Sequence, residues 1–209
     1  MSLQLKRAIQ MISPQYGRSL VLVVIAGSIS GCGGGAATPT QEPSFQSDVS
    51  AFDTSFTEAR SMPFSNGGSV ASADGTYEGE SLVRVIDGGD TTTFLGNASL
   101  TVDIARGRVS GSLSGFARDT DDVEPEGLSG RLTVTGQSIG AAQQSEFVST
   151  VTGTLTGSST DFRIGDGTVF GDLLENPTSS LIAQGTSTNS RLDGASGLTS
   201  TINILADKN

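Results

Sequence analysis

From residue 76 onward, apolar and polar residues alternate with a period of two, and glycine and aspartate punctuate the pattern. The segments 76–86, 94–104, 108–116, 128–135, 146–155, 160–164, 168–173, 179–185 and 198–206 each read as a strand. Leu100, Val102 and Ile104 share one face, as do Val109, Gly111, Leu113 and Gly115. Leu128, Gly130, Leu132 and Val134 repeat the pattern, and so do Phe147, Val151, Gly153 and Leu155. Ser, Thr, Asp and Arg occupy the alternate positions, so each strand covers one core and turns its other face to water. Asp87-Gly88-Gly89-Asp90, Arg106-Gly107 and Asp166-Gly167 read as turns. No helical period interrupts the series, which predicts an all-β, single antiparallel up-and-down β-barrel of about eight strands. A barrel of that number holds packed side chains or one small ligand. The glycines on the inner face suit the tight coiling that a small barrel needs.

Residues 44–60 follow a different rule. Phe45, Val49, Phe52 and Phe56 recur at steps of four, three and four, which places them on one face of a short amphipathic helix. Ser47 before Asp48 is the expected N-cap, and Pro63 stops the helix. So short a helix does not stand alone in water. Its stripe therefore docks on the domain that follows or takes a partner. The nearest surface for docking is an open end of the barrel, reached through residues 61–75.

The N-terminal region carries Lys6, Arg7 and Arg18 and no acid, followed by an apolar run over 19–30. That run is shorter than the roughly 20 residues a spanning helix needs. Basic, then apolar, then small residues make an export signal over 1–31. Its end, Ile29-Ser30-Gly31-Cys32, resembles the lipobox of bacterial lipoproteins. The expected cut falls between Gly31 and Cys32, with lipid on the Cys32 thiol. Two or three acyl chains anchor stably where one does not. Gly33 stands where an aspartate would signal inner-membrane retention, so an outer-membrane, lipid-anchored location is expected, with possible exposure at the cell surface. Residues 32–44, rich in Gly, Thr and Pro, form a disordered lipidated leash. The organisation is then a signal over 1–31, a tether over 32–44, a helix and loop over 45–75, and a barrel over 76–209.

Charge and composition narrow the function. The formal net charge of −10 becomes −13 once the signal is removed, because the signal holds three basic residues and no acid. Such a surface repels nucleic acid, whose binding rests on neutralised phosphates. There is no His, which excludes Ser-His-Asp and Cys-His catalysis and histidine metal sites. With one Cys, no disulfide forms within the chain. A membrane-spanning barrel needs aromatic girdles. The chain has no Trp and two Tyr, and one of these, Tyr16, lies in the signal.

Three patterns bear on ligands. Asp119, Asp121, Asp122, Glu124 and Glu126 supply hard oxygens suited to calcium. They lack the glycine and the final glutamate of an EF-hand loop, and a solvated hairpin loop is the simpler reading. Haem ligation would fall to Tyr77 or Met62, but Tyr77 reads as a strand residue packing its ring at the barrel mouth. No two carboxylates are placed in one pocket, so no catalytic residue, metal or cofactor is assigned.

Several segments resemble a known family. Tyr77-Glu78-Gly79 is similar to the opening of the β-barrel domain in transferrin-binding protein B and related surface lipoproteins. The run from Gly96 to Ile104, followed by Val109-Ser110-Gly111-Ser112-Leu113, resembles a strand pair of that family, and 162–170 resembles its later hairpin. The family's Gly-x-Phe-Tyr-Gly-Pro stretch is not matched by Ala183-Gln184-Gly185-Thr186-Ser187. The resemblance implies a single surface barrel acting as a non-enzymatic binding module for a protein or small-molecule partner. It does not carry transferrin binding, which needs a larger two-lobed chain. The alternative is a structural, periplasm-facing envelope lipoprotein associated with a membrane complex.

Replacing Cys32 by Ser is expected to abolish incorporation of radiolabelled palmitate and leave the uncut precursor in the inner membrane. Labelling that survives the substitution refutes the anchor.

Overall fold

The computed structural model describes residues 44–63, 73–119, 124–138, 146–174 and 180–209. The signal, the lipobox and the tether up to residue 43 lie outside the described residues. One helix, α1 (Phe45–Arg60), precedes nine strands. These are β1 (Gly75–Asp87), β2 (Asp90–Asp103), β3 (Arg108–Arg118), β4 (Glu126–Gly127), β5 (Ser129–Ser138), β6 (Glu146–Thr156), β7 (Asp161–Leu174), β8 (Ser180–Leu192) and β9 (Ala195–Lys208). Every pairing is antiparallel, and β1 pairs with both β2 and β9. With β2 on β3, the eight long strands close into an up-and-down barrel; β4 is a short extra rung on β3.

The expected register holds in the centre of the barrel. Leu132 points inward opposite Leu113 and is fully buried, while Arg131 faces water. Gly88 and Gly107 turn the first two hairpins with φ of 64° and 58°, a region costly to any residue with a Cβ.

Two expectations fail for one reason. The segments 160–164 and 168–173 are a single strand, β7, and Asp166-Gly167 is not a turn. Between Val151 and Gly153 of β6 the pairing jumps from Gly167 to Ile164, so β7 carries an extra residue there. That bulge reverses the phase, and the inward set changes from Phe162 and Ile164 to Gly167, Val169 and Gly171. Likewise Gly115 does not share the inner face of β3. It sits at φ 62° in a bulge opposite Gly96, and Phe116 turns inward over Gly96 instead.

The helix forms where the stripe predicts, and Phe45, Val49, Phe52 and Phe56 are all buried. Its cap is Ser44, not Ser47. Ser44 has extended backbone and its side chain accepts from the Ser47 amide at 3.3 Å, which brings Phe45 inside the first turn. The helix also does not cover an open end. It lies across the outer wall, on Leu82, Leu174 and Ile182, with Leu95, Ala117 and Leu205 at the margin. These outward residues follow or precede inward ones, as in Leu82-Val83, Leu173-Leu174 and Ile204-Leu205. Such doublets break period two because both faces of those strands are covered. Phe52 and Phe56 stack with centroids 5.7 Å apart. Each buried Phe contributes roughly 1.5–3 kcal/mol from area. An Arg84–Asp53 ion pair at 2.6 Å adds orientation but, being half exposed, only about 0–1 kcal/mol.

Elsewhere the outer wall is hydroxyl-rich. Thr101, Ser110, Thr135, Thr150, Thr168, Thr186 and Thr201 pair successively across seven strands in one row. Cross-strand threonine pairs of this kind add about 0.2–1 kcal/mol each.

A Cβ on Gly185 would fall on the Thr168 carbonyl oxygen, whereas one on Gly89 meets nothing within 4 Å. Gly185→Ala is therefore expected to cost about 1–3 kcal/mol and lower Tm by several degrees. Gly89→Ala should be close to neutral in the same thermal melts, and equal effects would refute the packing argument.

Candidate functional site

All eight barrel strands send apolar side chains into one continuous core. Phe94 and Phe162 stack toward the end of the barrel where β7 begins, centroids 4.8 Å apart. Ser200 donates to Ser190 at 2.7 Å, both buried. The interior is filled as an eight-stranded barrel permits. Chemistry toward a ligand is left to the outer surface.

One groove there combines apolar and charged groups. It has a volume of about 400 Å³ and lies where the last turn of α1 meets the outer faces of β7 and β8. Phe56 and Arg60 come from the helix; Phe170, Asp172, Ile182 and Gln184 come from the strands. The register explains the grouping. Phe170 stands opposite Gln184, and Asp172 opposite Ile182, all facing outward below the β7 bulge. Phe170 is 62 % exposed, unusual for so large an apolar ring. Asp172 is half-buried, and its Oδ1 is buried without a hydrogen-bond partner. Burial pushes its carboxyl above the usual range, with a further push from Glu146 across the strand pair. Arg60 is exposed and lines the same groove, and its guanidinium makes no hydrogen bond or ion pair among the described residues.

A second hollow, about 740 Å³ and wider, lies over β3, β5 and β6. Its lining of Arg108, Ser110, Thr135, Gln137 and Thr150 is polar. It carries no aromatic ring and no buried orphan group.

The expected ligand residues have other employment. Gly31 and Cys32 lie outside the described residues, as do Asp121 and Asp122. Asp119 accepts from Gln46 of α1 at 2.5 Å. Glu126 turns into the 157–160 turn and is nearly buried. It accepts from the Ser159 amide at 2.7 Å, Thr160 Oγ1 at 2.6 Å, and Ser158 Oγ and Ser159 Oγ at 2.9 Å. Arg118 stands 3.6 Å away and also bridges to Asp193 at 3.2 Å. The described part of the acidic loop is thus stitched into the protein, and among the described residues no cluster of three metal-ligating side chains occurs. Tyr77 is buried at a barrel end, as expected, and its hydroxyl donates to the Ala73 carbonyl at 2.9 Å. Desolvation, with Asp74 adding, pushes that hydroxyl up to about 12. Met62 is 46 % exposed just past the helix.

The groove was not anticipated from sequence. Reading Asp166-Gly167 as a turn hid the fact that Phe170 and Asp172 share the outer face of a long strand. The signal was present in 168–172, where an outward Phe stands between a Thr and an Asp at alternate positions.

The fold and groove define a filled, eight-stranded antiparallel barrel with a helix clamped to its outer wall. No family model, curated protein or solved structure matches the chain.

Glu126 is held at a pKa of about 2 by the Ser159 amide first and by the three hydroxyls around it. A carboxylate with a lowered folded pKa stabilises above its unfolded value and loses that contribution as pH falls toward the folded one. Wild type should be more stable than Glu126→Gln at pH 7, and the gap should close between about pH 4.5 and 2. Denaturant unfolding across that range measures it; a gap independent of pH refutes the assignment.

Proposed function

We propose that this chain is a bacterial lipoprotein, cut before Cys32 and held on the outer membrane by lipid on that residue. Its small barrel acts as a non-enzymatic binding module for a protein or small-molecule partner. The observation that carries the reading is a filled barrel bearing one exposed aromatic in a mixed apolar and charged groove, beside the helix into which the tether leads. Pockets that bind small ligands combine an apolar lining with a few placed polar groups, and this groove has that make-up at the lower end of their size range. The absence of His from the sequence supports a binding role over an acyl-transfer one. The segments that resemble surface lipoproteins open β1 at Tyr77 and occupy β2 and β3, and they support the same proposal.

The test is in the native cell. A photo-crosslinking residue at position 170 of the full-length lipoprotein should capture a partner, and one at the exposed position 131 should not. Capture at neither position, or equally at both, overturns the groove as the binding surface. Capture of a membrane complex at 131 alone would favour the structural, periplasm-facing role. Recovery of the palmitate-labelled protein in the inner membrane would overturn the location.

A further inference from the structure

Arg60 and Asp172 line one groove, carry opposite charges and do not pair with each other. Phe56, Ile182 and the exposed ring of Phe170 line the same groove. The buried Oδ1 of Asp172 has no donor. That oxygen has no accessible surface, so a ligand in the groove meets the accessible part of the carboxylate. Two opposite charges across an apolar floor are complementary to a molecule that is itself doubly charged and apolar in between. We infer that the groove binds a zwitterionic amino acid or short peptide with an apolar side chain. Its ammonium group donates to Asp172, its carboxylate takes the Arg60 guanidinium, and its side chain lies against Phe170 and Ile182. This rests on the groove being the binding surface.

The chemistry favours that class over its neighbours. A simple cation would satisfy Asp172 but meet the repulsion of Arg60. A simple anion would meet the reverse. A neutral apolar molecule would desolvate Arg60 and Asp172 without pairing either, which is costly. A zwitterion satisfies both ends at once, and a guanidinium and a carboxylate make charge-assisted hydrogen bonds about twice as strong as neutral ones. At about 400 Å³ the groove accommodates a dipeptide. Gln184, opposite Phe170 in the register, adds an amide to the lining.

Full-length lipoprotein in detergent, titrated with L-leucyl-L-leucine, its N-acetyl derivative and its C-terminal amide, tests the assignment by calorimetry. The free dipeptide should bind at least about tenfold more tightly than either blocked form, the scale of one lost charged contact. Asp172→Asn should weaken the dipeptide about tenfold and leave the N-acetyl form unchanged. Arg60→Gln should weaken the dipeptide and leave the amide unchanged. Asp172→Asn is isosteric and Arg60→Gln shortens an exposed side chain, and thermal melts check that both variants fold. Equal binding of all three ligands, no binding at millimolar concentration, or variants that weaken every ligand alike would overturn the inference. If position 170 still captures a partner in cells while the dipeptide fails, the groove stands and only the zwitterion is wrong. If both fail, the groove itself is not the site.

Discussion

Closing eight strands on themselves brings the inner faces of neighbouring strands into such close approach that some positions have no room for a side chain. The chain meets this constraint with glycine. A Cβ on Gly79 would collide with the Leu205 backbone, one on Gly111 with Ser99, one on Gly153 with Arg131 and one on Gly185 with Thr168. Each collision is with main chain rather than a movable side chain, so nothing can step aside. Coiling at these points lets the remaining inward positions, from Val83 to Ala206, fill the interior. A filled interior in turn leaves the outer wall as the only large surface on which the helix can bury its stripe.

The bulges in β3 and β7 follow from the same geometry. A tightly coiled strand stays in register with its neighbour only if an extra residue is inserted where curvature is strongest. In β3 this turns Phe116 onto Gly96, and in β7 it turns Val169 inward and Phe170 outward. The exposed ring beside the helix is therefore a product of barrel closure, one step removed.

Much of this was legible in the residues. Period-two alternation located the strands, Asp-Gly and Gly-Gly steps located the first hairpin, and the Phe stripe located the helix. What resisted reading was any event that changes the phase of a strand without ending it. Asp166-Gly167 looks like a turn, yet Gly167 pairs with Val151 of β6 and Asp166 is taken up in the bulge, so the strand runs on. The true tight turn, Asp193-Gly194, has φ of 50° and 92° and joins β8 to β9. The docking site of the helix was hidden similarly. Doublets such as Leu82-Val83 announce two covered faces, but a doublet does not say what covers the second. The groove needed three elements brought together, and no local pattern spans three elements.

The ring of strands has a consequence in time. Its seam joins Tyr77 in the first strand to Lys208 in the last, so the final rung waits on nearly the whole domain. High contact order of this kind slows folding. A chain synthesised from its N-terminus has all but one of its barrel strands available and still lacks a closed sheet. Until the last strand arrives, β1 presents an unpaired edge, and such an edge invites pairing with other chains.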